Sequence, residues 1–331
     1  MKRIFVLICL SFCMLFTTES YGQLLKGFGN KVQKKVENRI ERKVERGVDK
    51  TLDKGEQATD EAAKETVKSS KDRKKEKKES KSDKEIESLR ETLPQVEVRP
   101  EQLMTLSASE CGSFVWFKKG NIFEYSTSDK SNKYEQQSRM EVKDVYKENG
   151  SIVAELEGRG EANGTVVEMD FKYICKGDKL YMDVGEMMKS VFAKNPDLQQ
   201  FMDNEEVEKV KIDLNNGYMS FPKQLFPGLE LDDMIFTFES SMGGVGKINL
   251  QVEGLDRIVE SRERVTTPAG TFDCMKIRTI NSTSFSMMGM NRNLPIQVQY
   301  LWISPEVGMV KQESYEKGSL VTSMELTKYT L

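Results

Sequence analysis

Alternation constrains this chain more than any other feature. In VEMDFKYIC, residues 167–175, Val167, Met169, Phe171, Tyr173 and Cys175 take every second position, with Glu168, Asp170 and Lys172 between them. Successive side chains of a strand point to opposite faces, so this segment has one buried face and one wet face. Comparable runs recur from residue 112 onward: NIFEYS, VEKVKIDL, MIFTFES, KINLQVEG, IVESRERVTT, FDCMKIRTI, IQVQYLWIS, GMVKQES and LVTSMELTK. Asn163-Gly164, Lys176-Gly177-Asp178 and Pro268-Ala269-Gly270 supply turns between them, which makes a meander of hairpins. One interval breaks the pattern. In GEMMKSVFAKNPDLQQFMDN, Met187 with Val191 and Met188 with Phe192 sit one helical turn apart, and Leu198, Phe201 and Met202 continue after Pro196. About a dozen strands with one helical insertion exceed a two-layer sandwich, so the expected fold is mainly β, a strongly curved antiparallel sheet wrapping that helix.

The first 22 residues have a basic start, a 13-residue apolar run from Ile4 to Phe16 and a polar end, the layout of an export signal peptide. The run is shorter than the roughly 20 residues of a membrane-spanning helix. Export places the mature chain in the periplasm or cell envelope. Residues 23–91 then carry 21 Lys and Arg against 16 Asp and Glu, while residues 92–331 carry 27 against 36. A mildly basic arm precedes an acidic body. In the arm, Val32, Val36, Ile40, Val44, Val48 and Leu52 are spaced by four, a stripe that drifts about 40° per step around a helix and cannot make a straight coiled-coil seam. Two readings of residues 24–52 stand: a solvated helix of low stability, or a basic amphipathic helix on an anionic membrane or wall polymer. SSKDRKKEKKESKSDKE, residues 69–85, has the composition of a disordered linker. Its interleaved acids and the export signal argue against a nucleic-acid partner. Pro94 and Pro100 mark the change to structured chain. The expected divisions are a signal at 1–22, a charged arm at 23–94 and the β domain at 95–331.

The chain has no histidine. That removes Ser-His-Asp and Cys-His triads, His-ligated zinc or haem, and the commonest general base near neutral pH. Adjacent acids such as Asp232-Asp233 and Glu205, Glu206 and Glu208 read as solvated turns rather than as the carboxylate pair of a hydrolase, so the expectation is a protein that is not an enzyme, with no catalytic residues, metal or cofactor. After the signal, three cysteines remain, Cys111, Cys175 and Cys274, and an oxidising compartment implies one disulfide between two of them. Cys175 belongs to a buried face. On FDCMKIRTI, Met275 and Ile277 read as the core face, which points Cys274 away from it, and Cys111, in the lead-in to the first strand, can reach either partner. Of the 18 methionines, 16 lie beyond the signal, with a cluster at Met287, Met288 and Met290. Their scatter through strands and helix favours core or cavity lining over a Cu(I) site. Candidate lining residues for an apolar ligand are Met169, Phe171, Tyr173, Met187, Met188, Phe192, Tyr300 and Trp302, the last two sharing a face with Ile296 and Val298.

The phrases ESRERVTTPAGTFDCMKIR, YLWISPEVGMVKQESYEKGSL, WFKKGNIFEYS, YICKGDKLYMDV and FPKQLFPGLELDD resemble the TapB-like group of exported bacterial envelope proteins, in order over residues 111–331. That group is similar in turn to proteins with the half-barrel of lipoprotein carriers, which implies the same fold here and brings no catalytic residues. The function expected is a non-enzymatic envelope module for a hydrophobic ligand such as an acyl chain or lipid. A structural adaptor docked through its basic arm is the alternative, and a carboxylate-based hydrolase a minor one.

Overall fold

Each hairpin of the body adds its second strand to the edge left by its first, and the result, among the described residues, is a continuous antiparallel sheet of 14 strands with a separate two-stranded sheet beside it. The computed structural model describes residues 81–107, 111, 113–130, 135–162, 165–194, 211–213, 218–242, 246–287 and 290–331. The signal peptide, the arm up to residue 80, the Asn163-Gly164 turn, Leu198, Phe201 and Met202, Glu205, Glu206 and Glu208, and Met288 lie outside the described atoms. Helix α1 (Lys81–Thr92) leads through a 3-10 turn, Pro100–Gln102, to the short strand β1 (Met104–Thr105) and a second 3-10 turn, Val115–Phe117. Strands β2 (Ile122–Asp129), β3 (Glu135–Glu148), β4 (Ser151–Ala162), β5 (Thr165–Lys176) and β6 (Lys179–Asp183) follow as a meander, ending in helix α2 (Val184–Lys194). After β7 (Lys211–Asp213), β8 (Tyr218–Pro222) and β9 (Gln224–Leu225) come β10 (Met234–Met242) and the long pair β11 (Gly246–Thr267) and β12 (Gly270–Met287). The chain finishes with β13 (Met290–Asn293), β14 (Gln297–Ser304), β15 (Gly308–Glu316) and β16 (Ser319–Thr330).

The strand order is β7-β10-β11-β12-β14-β15-β16-β2-β3-β4-β5-β6-β8, with β13 on β12, so the C-terminal strand pairs with the first long strand. Turn chemistry sets the registers. Asn149-Gly150 and Lys317-Gly318 both have left-handed backbones (φ 48° and 76°, 49° and 76°), as a two-residue turn with the strands' own twist demands. The sheet curls most of the way into a barrel. Its two ends are laced by the crossover after β9: Gly228 N donates to Val259 O, Val259 N to Leu229 O and Leu231 N to Arg257 O, at 2.8–3.0 Å. Arg257, itself 4% exposed, donates to Asp232 O and Ser220 O and lies over the Phe221 ring. This guanidinium joins β11, the crossover and β8 at the seam.

Helix α2 begins where β6 stops. Asp183 caps it, accepting from Glu186 N at 2.9 Å, and its burial raises the carboxyl above its ordinary range. Because β6 pairs with β5 only over Tyr173–Lys176, the rest of the β5 edge is open to the helix. There Asp170 N donates to Ser190 Oγ (2.6 Å), and Lys194 Nζ reaches Asp170 Oδ1 (2.6 Å). The helix thus covers a strand edge, which would otherwise carry unpaired backbone groups, and turns Val184, Met187 and Val191 into the core.

Two expectations are corrected. Helix α1 lies inside the stretch read as arm and linker, yet Ile86 is buried against Ile280 and Ile296 with Leu89 and Leu93 beside it, and Arg90 forks onto Asp256. An apolar residue every three or four positions was enough to dock one turn-rich segment on the sheet despite its charged composition, so the body begins before residue 95. Cys274 is also not turned away from the core: it is wholly buried in the main apolar cluster, as is its neighbour Met275. Strands of 22 and 18 residues twist through a large angle, and β11 adds register shifts at Leu255/Ile258 and Val259/Ser261. The hairpin tip is brought against β16, where Ala269 N meets Leu326 O and Phe272 meets the Tyr329 ring edge to face at 5.9 Å. A face that is outer along the stem is therefore buried at the tip.

Candidate functional site

Alternation assigns the two sides of the sheet. Phe123, Tyr125, Leu156, Met169, Phe171, Tyr173, Ile277, Ile303, Met324 and Leu326 are buried in one cluster on the inner side. Into this side projects the 3-10 turn Val115–Phe117. Trp116 stacks on Tyr173 (centroids 4.2 Å apart, 17° between planes), Phe114 meets Trp116 edge to face, and Phe171 does the same with Tyr173. Gly308 makes the space, since a Cβ there would overlap the Trp116 indole. Cys111 is bonded to Cys175 of β5 (Cα–Cα 6.1 Å), which pins the plug to the wall it packs against. The expected disulfide is therefore Cys111–Cys175, and Cys274 is a free buried thiol. Burial pushes its ionisation up to about 12, with Asp273 and Glu263 adding to the effect, far from the lowered values of reactive cysteines.

The lining candidates separate into three groups. Met169, Phe171, Tyr173 and Met187 share the inner cluster, but Tyr173 is covered by the protein's own Trp116. Met188 and Phe192 lie on α2, with side chains outside the described atoms. Tyr300 and Trp302 do lie on one face with Ile296 and Val298, opposite the face that carries Ile277, although Trp302 is buried at the margin of the main apolar cluster with Tyr300 packed beside it. Trp302 pairs in register with Lys276 and Lys311, and Tyr300 with Arg278 and Glu313; the Lys276 ammonium sits 4.2 Å from the Tyr300 centroid and 5.4 Å from that of Trp302. Trp302 Nε1 donates to Glu263, and Tyr315 packs edge to face on Tyr300. Sequence spacing put these residues together correctly; which side they face depends on curvature, which spacing does not encode.

Two features of the interior carry little sequence signal. One is the plug, whose only trace is the aromatic run FVWF at 114–117. The other is a polar band on the inner face where β12, β14, β15 and β16 run side by side. Asn281, Gln297, Gln299, Gln312, Ser314 and Thr322 are all buried, 7% exposed or less, and Asn281 Nδ2 donates to Gln299 Oε1 at 3.0 Å. Elsewhere, a surface groove of about 680 Å³ runs between Arg262, Arg264, Asp273 and Glu306. Arg262 forks onto Asp273, so this groove is charged and unsuited to an acyl chain.

A curled antiparallel sheet that packs an aromatic plug into its own interior defines a barrel-like β domain, with its chemistry confined to the inner wall, the seam and the surface. The chain belongs to the DUF3108-like family, whose profile matches residues 118–326. No curated protein matches it. Among solved structures it is similar to a protein of Parabacteroides distasonis ATCC 8503 described as a lipoprotein, at 20% identity over 66% of this chain and 99% of that one, TM-score 0.48. An exported protein with YmcC-like fold from Bacteroides fragilis NCTC 9343 follows at 19% identity, with the same coverages and a TM-score of 0.46. The lipoprotein YmcC of Escherichia coli K12 is 8% identical over 77% of this chain and 98% of that one, TM-score 0.24.

Proposed function

We propose that this DUF3108-like protein is a non-enzymatic module of the cell envelope, delivered by its N-terminal signal, that binds a hydrophobic ligand such as an acyl chain or lipid on the inner face of its sheet. The observation that carries the reading is the placement of α2. It lies along an open strand edge with Met187 and Val191 turned into the cluster of Met169 and Phe171, and apolar ligands are taken up where adaptable apolar side chains line a concave wall. The plug occupies the Tyr173 end, so the ligand region lies toward Met169 and Met187. The likeness of several phrases to the TapB-like envelope group agrees with this setting.

Protein purified without detergent should release a lipid or fatty acid on solvent extraction, detected by mass spectrometry, and Met187→Trp should reduce that load. Failure to extract a ligand, together with no binding of an apolar fluorescent probe to the folded protein, would favour the second reading. That reading is a structural adaptor with a filled core, docked on membrane or wall polymer through residues 24–52. The Phe114–Phe117 plug, which fills part of the interior with the protein's own rings, is the observation in its favour.

A further inference from the structure

Hydrogen-bonding groups inside a β domain are normally paired, because a buried hydroxyl or amide without a partner loses its water and gains nothing in return. The inner band departs from this at Ser314, which is 0% exposed and whose Oγ has no hydrogen-bond partner among the described residues. Its neighbours in register are Gln299 on β14 and Thr322 on β16, and Gln297 faces Asn281 on β12. The band continues the wall that carries Leu301 and Met324 two residues further along β14 and β16, and Ile277 four residues further along β12. One sheet face therefore runs from apolar to polar, and none of the six polar side chains is charged.

We infer that this band is the headgroup subsite of the ligand site, and that the ligand is an amphiphile whose head is uncharged and rich in hydroxyl or amide groups. The inference rests on the binding function proposed above and specifies its substrate class. The chemistry of the wall selects among heads. Asn, Gln, Ser and Thr side chains each donate and accept, the pattern that a glycoside or polyol returns group for group. A phosphate or ammonium head buried against these six would be desolvated without a counter-charge from the band, a cost that several neutral hydrogen bonds do not offset.

Three probes with one chain and different heads test it on the full mature protein: dodecyl β-maltoside, dodecyl phosphate and dodecyltrimethylammonium, each below its micelle-forming concentration. Displacement of an apolar fluorescent probe should require at least about tenfold less maltoside than either charged analogue, the worth of one to two hydrogen bonds. Ser314→Ala should weaken maltoside binding about fivefold while leaving the ligand-free melting midpoint unchanged or higher, because it deletes an unpaired buried hydroxyl. Thr322→Val, of the same shape, should narrow the maltoside preference in the same direction. Equal displacement by all three heads, or a preference for a charged one, would overturn the headgroup assignment and leave the binding function standing. If none of the three displaces the probe, both fall.

Discussion

Cys274 is the residue at which local pattern and tertiary placement diverge most. Its thiol is wholly buried, donates weakly to Phe272 O at 3.6 Å and ionises only near pH 12. Burial stabilises the neutral thiol over the thiolate, and a folded-state value raised above the unfolded one has a definite consequence for stability. The contribution is complete below about pH 9 and is lost as pH rises toward 12, at about 1.4 kcal/mol per pH unit. The difference in unfolding free energy between the wild type and Cys274→Ala should accordingly shrink over that window, which isolates this thiol from the tyrosines and lysines that titrate beside it. At pH 8, iodoacetamide should leave the native protein unmodified and add one label after unfolding without reductant, as read by intact mass. Labelling of the native protein would mean that the β11–β12 tip opens. The strict alternation of β5 placed Cys175 on the inner face from sequence alone, whereas in β12 the same rule fails at Cys274 because twist rotates the strand through the boundary between faces.

At the scale of elements, the plug and α2 do what no strand of the sheet does: they occupy its interior and cover its edge. The 3-10 turn at Val115–Phe117 is too short to hold itself and relies on ring packing, on Asn121 Nδ2 donating to Val115 O at 2.9 Å and on the covalent link from Cys111 to Cys175. That link closes a separation of 64 residues, for which the entropic model gives about 4 kcal/mol of stabilisation. Reduction should lower the urea midpoint and, because the released denatured chain expands, steepen the slope; an unchanged midpoint would show that packing alone retains the plug. Helix α2 was legible in the sequence from the one-turn spacing of Met187 with Val191 and Met188 with Phe192; its Asp183 cap came only with the structure. Its position along the β5 edge was not legible either, because nothing local specifies that β6 pairs over only four residues and leaves that edge open.

At the scale of the whole molecule, the seam and α1 decide where the folded unit begins. Ile86, Leu89 and Leu93 bury against Ile280, Ile296 and Leu255, and fully burying one such side chain contributes about 1.5–3 kcal/mol before the cost of ordering the helix. The Arg90–Asp256 pair, about two-fifths exposed on its side chains, adds little. A chain starting at residue 81 should melt as the mature protein does, while one starting at residue 95 should lose about 1–3 kcal/mol and expose Ile280 and Ile296. Calorimetry of the two truncations checks this: equal midpoints would show that α1 contributes nothing to the fold, and the boundary would return to the Pro94 turn.

What the amino-acid order determined by itself was the class of fold, the succession of hairpins, the helix after β6, and the need for one disulfide. These follow from period-two burial, from residues that tolerate left-handed backbone at turns, and from cysteine chemistry in an exported chain, all of which act over a few neighbouring residues. Only the tertiary structure decided that β16 pairs with β2, that Trp116 fills the interior beneath Gly308, that Tyr300 and Trp302 lie on the face opposite Ile277, and that a neutral polar band lies inside with Ser314 unpaired among the described residues. Those outcomes depend on the direction in which a long sheet curls and on which of two faces becomes enclosed, and a pattern with a period of two is identical for either choice.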